Sequence, residues 1–281
     1  MGPGPGGNRS VALRDTLPMA HQYTTNAPDG TSIAWSRTGS GVPVVLVHGI
    51  TESATSFAPI TQRLAATNEV ITLDLRGHGE SANASTYDLV SMAGDIGAVL
   101  TAAGAERPQI VGHSLGGIVA TAAGSMLPFA GIVNIDQSLR LESFKAQLVP
   151  AESMLRDPEQ YQLVVDAMFE MMMGDKLADA EVARVNGLRH ADHEVVLGIW
   201  DMLLTQPADA IAATVDAALA GYAGNHVPYL ALFGIDPGDG YADWLGLRIA
   251  NSTVEYWADH GHYPHLVDPD RFVDRLRLFW T

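Results

Sequence analysis

A serine between closely spaced glycines is the residue of this sequence best suited to nucleophilic chemistry. It is Ser114, in Gly112-His113-Ser114-Leu115-Gly116, between a β-branched stretch and a stretch of small residues. A sharp strand-to-helix turn can hold a serine hydroxyl exposed, and the flanking glycines leave room for close approach of the chain. A helix N-cap with packing glycines is the structural alternative. The strand-then-helix context favours Ser114 as a nucleophile.

A serine hydroxyl needs a base to remove its proton, and the sequence offers ten histidines. His262 is favoured because it follows the last predicted strand, residues 253–257, in a loop at the carboxyl edge of the predicted sheet, where ligands bind in open α/β sheets. His260 and His262 also form a His-x-His pair, which can be half of a metal site. The serine machinery is complete without a metal, so we expect none. His260 and His265 are interpreted as loop-packing residues.

The base in turn needs a carboxylate that fixes its tautomer and stabilises the imidazolium. Three aspartates could supply it. Asp236 follows a predicted strand and keeps the chain order Ser, Asp, His, so it is preferred. Asp239 is three residues further along the same loop, and Asp136 ends the strand after Ser114. Each of them could instead be a turn or capping residue, so the choice stays open.

Acyl transfer also needs two backbone N–H donors for the tetrahedral oxyanion, each worth roughly 10²–10³ in rate. Leu115, directly after the nucleophile, is predicted to supply one. The other is predicted in the loop 48–51, which follows a strand ending at Val47. Ile50 is the expected donor because Gly49 lets the backbone turn tightly. An ordinary glycine turn is the alternative interpretation of this loop.

Short apolar strands alternate with helical stretches in the first half of the chain. An antiparallel hairpin (22–25 and 31–37) is followed by strands at 43–47, 70–73, 109–111 and 132–135 and helices at 89–103 and 115–123. This alternation predicts an α/β fold with a doubly wound, mostly parallel sheet. From about residue 138 to 225 helical patterns replace strands, at 158–173, 179–187, 193–205 and 208–220. Strands resume at 229–233 and 253–257, and an amphipathic helix, 269–279, follows.

Composition limits the classes of partner. The chain has 281 residues, no cysteine and a formal net charge of −16, and a field of that sign repels nucleic acid and anionic lipid headgroups. Residues 1–19 are interpreted as a flexible leader without a secretory signal. We therefore expect a soluble, cytoplasmic protein with no nucleic-acid or membrane partner. The sequence carries no signal for an oligomeric state.

Four segments together resemble the α/β-hydrolase superfamily in their order and spacing. They are Val47-His48-Gly49, Asp74 to Ser81, Val111 to Gly117 and Asp259 to Pro264. The resemblance implies an eight-stranded sheet, a Ser-acid-His triad without a cofactor, and a helical cap at 138–225 over a core of residues 20–137 and 226–281. It also makes the loop 74–81 a feature that shapes the site. Many relatives place the acid where this chain has Pro237, which is why that residue stays open.

Serine at this turn argues against the dehalogenase and epoxide hydrolase chemistry that relatives perform with aspartate. The resemblance therefore implies a serine hydrolase that cleaves carboxylic esters through an acyl-enzyme on Ser114, with a small-molecule, ester-like substrate. Lactonase, thioesterase, carbon-carbon bond hydrolase and a non-enzymatic receptor of this fold are the alternatives. Met168, Met172 and Trp200 in the cap could line the pocket or pack in the core.

Overall fold

A mostly parallel, eight-stranded sheet runs through the computed structural model, which describes residues 21–281 and so leaves the predicted leader outside the described part. The strands are β1 (Tyr23–Asn26), β2 (Ser32–Gly39), β3 (Val42–Val47), β4 (Asn68–Leu73), β5 (Gln109–His113), β6 (Gly131–Ile135), β7 (Tyr229–Phe233) and β8 (Ser252–Tyr256). Their order is β1-β2-β4-β3-β5-β6-β7-β8. Only the pairs β1/β2 and β2/β4 of this sheet are antiparallel. The predicted fold class is confirmed.

The central strands are buried on both faces. Every residue of β5, β6 and β7 is buried, as expected for unbroken apolar runs in a sheet covered by helices on both sides. Two separate apolar clusters, one on each face, form the core. The sheet is therefore the rigid element from which the loops of the site project.

Six helices flank the sheet: α1 (Ala58–Leu64), α2 (Leu89–Ala103), α3 (Leu115–Met126), α10 (Tyr241–Gly246), α11 (Pro264–Val267) and α12 (Pro269–Phe279). α2 begins after Asp88, whose side chain accepts from the Ser91 N–H, and ends at Gly104 in the left-handed conformation. α12 buries Phe272, Val273 and Leu276 on one face. The bounds predicted for α2 and α12 match the structure.

Between β6 and β7 the chain forms helices only. They are α4 (Glu142–Leu148), α5 (Glu152–Leu155), α6 (Tyr161–Met172), α7 (Asp179–Leu188), α8 (His193–Thr205) and α9 (Ala208–Leu219), with 3₁₀ turns at Val149–Ala151 and Ala220–Tyr222. We call residues 142–222 the helical insertion. The four predicted helical patterns correspond to α6 to α9, whereas the short α4 and α5 were not predicted. The division of the chain into core and cap domains stays a prediction.

Across residues 21–281, no single helix is long and apolar enough to cross a membrane. α8 and the stretch Ala208–Tyr222, bent by 112° relative to each other, reach the required length and composition only as a pair.

Parallel pairing aligns the carboxyl ends of the central strands. Val47 at the end of β3 pairs with Gly112 of β5, which pairs with Asn134 of β6. Ile135 pairs with Leu232 of β7. The loops that follow β3, β5, β6 and β8 therefore meet at one edge of the sheet, and the candidate site lies there.

Candidate active site

Ser114 occupies the turn between β5 and α3. Its backbone has φ 53° and ψ −123°, a conformation that non-glycine residues rarely adopt. Close packing explains the neighbouring glycines, since a Cβ on Gly112 would lie 2.0 Å from the Gly116 carbonyl oxygen and a Cβ on Gly116 would lie 2.1 Å from that of Val47. The Ser114 N–H donates to the Ile135 carbonyl over 2.9 Å. The turn thus holds Ser114 at the amino end of α3.

His262 lies in the loop between β8 and α11. Its Nδ1 donates to Asp136 Oδ2 over 2.7 Å, because an ionised carboxylate can only accept. The proton on Nδ1 leaves the lone pair on Nε2, which is buried and has no hydrogen-bond partner among residues 21–281. Ser114 and His262 line the same cavity. The lone pair on Nε2 of His262 therefore has no competing donor at a cavity that Ser114 also lines.

Asp136 follows β6 and accepts three hydrogen bonds. Besides the imidazole, the N–H groups of Gly234 and Ile235 donate to its Oδ1 over 2.7 and 2.9 Å. The residue is buried and its backbone has a positive φ of 52°. This strained backbone turns the carboxylate under the start of the loop after β7 and toward His262.

The structure does not bring Asp236 or Asp239 to His262. Asp236 is exposed, and its Oδ1 accepts from the Gly238 N–H over 2.8 Å, which is a local turn. Asp239 is exposed, and its carbonyl accepts from Arg140. The preference for Asp236 is therefore corrected, since the carboxylate beside the imidazole is that of Asp136.

Burial lowers the pKa of His262 below its ordinary value of 6.5. The hydrogen bond to Asp136 acts in the opposite direction and raises it, and the nearby His113 ring lowers it again. The net direction is downward. The imidazole is therefore neutral at pH 7, the state in which it can accept a proton.

The loop after β3 packs directly against Ser114. A Cβ on Gly49 would lie 3.2 Å from the Ser114 Cβ, and Thr51 in the same turn has a φ of 64°. Within the described part of the chain, the Ile50 N–H has no backbone acceptor. Leu115 is the first residue of α3, so its N–H has no acceptor inside the helix. Leu115 follows Ser114 directly and Ile50 lines the same two cavities as Ser114, and their role as an oxyanion hole stays a prediction.

A buried carboxylate that the sequence did not single out lies behind these loops. Glu52 accepts from the Gly49 N–H over 3.2 Å and from the Tyr263 hydroxyl over 2.9 Å. The His113 Nδ1 lies 3.5 Å from Glu52, and its Nε2 donates to the His262 carbonyl over 2.8 Å. Burial raises the pKa of Glu52, but His113 and the Tyr263 hydroxyl outweigh it and hold that pKa well below its usual range.

Glu52, His113 and Tyr263 connect the loop after β3 to the loop that carries His262. The only sequence signal for them was position, since each lies within three residues of a site residue already noted. Burial of a charged group between two hydrogen-bond donors and a histidine ring depends on the packing of distant segments, and no local pattern reports it.

The family model described as the alpha/beta hydrolase family matches residues 44–275. The chain belongs to this family. The match covers the sheet from β3 onward, the helical insertion and most of α12. The resemblance to the α/β-hydrolase superfamily found in the sequence is therefore confirmed.

Known proteins of similar sequence or structure agree with this assignment. An uncharacterized protein of Mycobacterium tuberculosis is 28% identical, over 95% of this chain and 83% of its own. An esterase from Rhodococcus sp. ECU1013 superposes with a TM-score of 0.67 at 26% identity, over 92% of this chain and 98% of its own. An esterase from Exiguobacterium antarcticum has a TM-score of 0.76 at 20% identity, over 93% and 99%, and at that identity it supports the fold alone.

The loop 74–81 of the hydrolase is hydrogen-bonded to the segment that follows β3. Asp74 is buried and accepts from the N–H groups of Ala54 and Glu80, and the Leu75 N–H donates to His48 Nε2 over 2.9 Å. Arg76 forms a bidentate ion pair with the buried Asp95. The contacts of Asp74 and Leu75 hold the segment after β3, and the site-shaping role of the loop 74–81 stays a prediction.

His260 and His265, the other histidines near the His-x-His pair, contact different groups. His260 Nδ1 donates to the Ala258 carbonyl, and His265 is buried between Phe57, His113 and Phe272. Among the described residues there is no cluster of three or more histidine, aspartate or glutamate side chains that could hold a metal ion. His260 lies in the loop before α11, as interpreted from the sequence, whereas His265 is buried within α11 and not in a loop.

Two cavities meet at Ser114 of the hydrolase. The first, of about 660 Å³, is lined by both Asp136 and His262. The second, of about 940 Å³, extends along α3 and the helical insertion. The residues that line both are Ile50, Ser114, Gln137, Phe144 and Trp200. Cavities of this size accommodate drug-sized molecules.

Proposed function

We propose that this chain is a serine esterase that cleaves carboxylic esters through an acyl-enzyme on Ser114, with His262 as base and Asp136 as the acid of the triad. One observation carries the proposal: His262 donates its Nδ1 proton to Asp136 over 2.7 Å, while its unpartnered Nε2 lies at the cavity that Ser114 lines. An imidazole oriented by a carboxylate, with its Nε2 available at a cavity lined by a serine, supports the pairing of a serine nucleophile with its base.

In the acylation half-reaction, Nε2 of His262 accepts the hydroxyl proton as Ser114 Oγ attacks the ester carbonyl carbon. The carbonyl oxygen becomes an oxyanion, which the N–H groups of Ile50 and Leu115 stabilise. Asp136 stabilises the imidazolium that forms. The tetrahedral intermediate then collapses, and the imidazolium gives its proton to the leaving alcohol oxygen.

In the deacylation half-reaction, His262 takes a proton from water and the resulting hydroxide attacks the acyl carbon. The same two N–H groups hold the second oxyanion. Collapse breaks the bond to Ser114 Oγ, which recovers its proton from His262. The products are one carboxylic acid and one alcohol, and no external redox partner or cofactor takes part.

We also propose that the helical insertion acts as the cap of this site. Met168, Phe169 and Met172 of α6 and Trp200 of α8 line the cavities. The Met172 carbonyl accepts from the His262 N–H over 2.8 Å. The insertion thus covers the site and is bonded to the loop that carries the base.

The similarity to a Rhodococcus esterase at 26% identity supports ester hydrolysis within a family of varied chemistry. Serine at position 114 supports ester hydrolysis too, because its hydroxyl can form an acyl ester that water later hydrolyses.

The test is hydrolysis of p-nitrophenyl esters of increasing acyl length, with EDTA present, by the wild type and by Ser114→Ala. We expect multiple turnover in the wild type and a loss of at least 10³-fold in the variant. Ser252→Ala, on the edge strand β8, is the matched control and is expected to keep wild-type activity. Full activity of Ser114→Ala would contradict the proposal. Turnover of lactones or thioesters alone would reassign the substrate on the same triad, and ligand binding without turnover would favour a receptor.

A further inference from the structure

The two cavities at Ser114 differ in which reacting groups line them. His262 and Asp136 line the first and not the second, whereas Leu115 lines the second and not the first. Ser114 and Ile50 line both. The base therefore stands on one side of the nucleophile and one of the two expected oxyanion donors on the other.

We infer from this asymmetry that the acyl group of the substrate enters the second cavity and the leaving alcohol enters the first. The inference rests on the proposed function. His262 must protonate the leaving oxygen, so the alcohol departs on the His262 side. The carbonyl oxygen points to the N–H groups of Ile50 and Leu115. Besides Ser114 Oγ, the oxyanion and the leaving oxygen, the tetrahedral carbon carries the acyl chain. Only the second cavity then remains for that chain.

The walls of the second cavity suit an extended apolar chain. Side chains from α3 and from the helical insertion form most of its apolar lining: Ile118, Ala122, Ile199, Met202, Leu203 and Ala218. The cavity also reaches Val90 and Met126, which are 64% and 52% exposed. A chain that enters at Ser114 can therefore run between core and insertion toward solvent. Burying its methylene groups there favours binding of a longer chain.

The first cavity offers hydrogen-bonding groups to the leaving alcohol. Its polar lining comes from the segment after β6, from α4 and from the loop after β7, and includes Ser138, Arg140, Glu142, Gln147 and Asp236. Asp236, which does not contact His262, thus lies in the cavity wall. The substrate class that fits both cavities is an ester of an extended, apolar carboxylic acid with a polar, hydrogen-bonding alcohol.

A pair of filling variants tests the direction. Ala218→Trp places a large ring in the second cavity, and Met168→Trp places one in the first, because Met168 lines that cavity only. The readout is the ratio of kcat/KM for p-nitrophenyl decanoate to that for p-nitrophenyl acetate, which share a leaving group. We expect Ala218→Trp to lower this ratio at least about tenfold, since the decanoate loses its apolar contacts. Met168→Trp should change the ratio less than about twofold, since the leaving group is common to both esters.

A lower ratio in Met168→Trp but not in Ala218→Trp would overturn the inference, and so would an unchanged ratio in both. A structure of the enzyme after reaction with p-nitrophenyl decylphosphonate separates this failure from failure of the proposed function. The decyl chain is expected in the second cavity, with phosphorus on Ser114 Oγ. An adduct on Ser114 with the chain in the first cavity would overturn the direction alone. No adduct on Ser114 would contradict the proposed function and with it the inference.

Discussion

At the scale of single residues, the carboxylate of Asp136 joins three parts of the site. It orients the His262 imidazole and accepts from the N–H groups of Gly234 and Ile235. Charge-assisted hydrogen bonds of this kind are stronger than neutral ones and fix geometry. Because Asp136 is buried, removing its charge changes both the tautomer and the position of the base.

Asp136→Asn is therefore expected to lower kcat by about 10³- to 10⁴-fold, because the amide can present its NH₂ to Nδ1 and favour the wrong tautomer. Asp236→Asn is the matched control. Its carboxylate caps a local turn, and we expect a change in kcat below about tenfold. Steady-state kinetics on one p-nitrophenyl ester and circular dichroism of both variants make the comparison. The opposite ranking of the two variants would restore Asp236 as the acid.

The pH dependence of kcat/KM reports the pKa of the base in the free enzyme. Burial lowers the pKa of His262 below 6.5, and only the neutral imidazole can accept the proton of Ser114. Activity should therefore be constant near pH 7 and decline on acidification, with an inflection below pH 6.5. The measurement is kcat/KM on a substrate without titrating groups from pH 4.5 to 8. An inflection at or above pH 7 would show that the buried, neutral state of His262 has been assigned wrongly.

At the scale of elements, the turn from β5 to α3 depends on glycines that leave no room for a side chain. A Cβ on Gly112 would lie 2.0 Å from the Gly116 carbonyl oxygen. Strand and helix would then have to separate, and Ser114 lies between them. The backbone conformation of Ser114 is therefore a property of the whole strand-turn-helix unit.

Gly112→Ala is expected to destabilise the fold by about 1–3 kcal/mol or more through overpacking, and to lower kcat by displacing Ser114. Gly187→Ala is the control. It lies within α7 with no atom within 4 Å of the added Cβ, so helix propensity predicts a gain of about 0.5–1 kcal/mol. Urea unfolding gives both free energies. Equal stability of the two variants would contradict the close-packing account of the turn.

Local pattern predicted the elements well where one signal dominates. The bounds of α2, β7 and α12 were predicted correctly from helical periodicity, caps and a buried apolar run. The short helices α1 and α4, of seven residues each, were missed because their stability comes from packing and not from a long periodic stretch. Local features also pointed to Ser114 and His262 as candidates. The choice between Asp136 and Asp236 depends on how the loop after β7 folds over β6, which is a tertiary property.

At the scale of the whole molecule, the helical insertion is hydrogen-bonded to the loop after β3 and to the loop after β8. The His190 N–H donates to the Thr51 carbonyl over 2.8 Å. Arg189 stacks on the Phe169 ring and donates to the Tyr263 hydroxyl over 3.1 Å. Tyr263 in turn donates to Glu52. Core and insertion thus share one hydrogen-bonded chain behind the site.

Tyr263→Phe removes the hydroxyl in the middle of that chain and leaves Glu52 with one donor fewer. Since Glu52 is buried and charged, we expect a loss of about 1–3 kcal/mol in the free energy of unfolding. Because the chain holds the loops that carry Gly49 and His262, kcat should decrease more than KM rises. Tyr256→Phe, at a half-exposed position on β8, is the control. If both variants match the wild type in kcat and in the free energy of unfolding, the hydrogen-bonded chain through Tyr263 does not couple the insertion to the site.

The most direct test of the central claim is mass spectrometry of the enzyme quenched within milliseconds of mixing with a p-nitrophenyl ester. We expect the peptide containing Ser114 to gain the mass of the acyl group, with a burst of p-nitrophenolate equal to the enzyme concentration when deacylation is slow. Continued turnover with an unmodified Ser114 peptide, or acylation at another residue, would contradict the account.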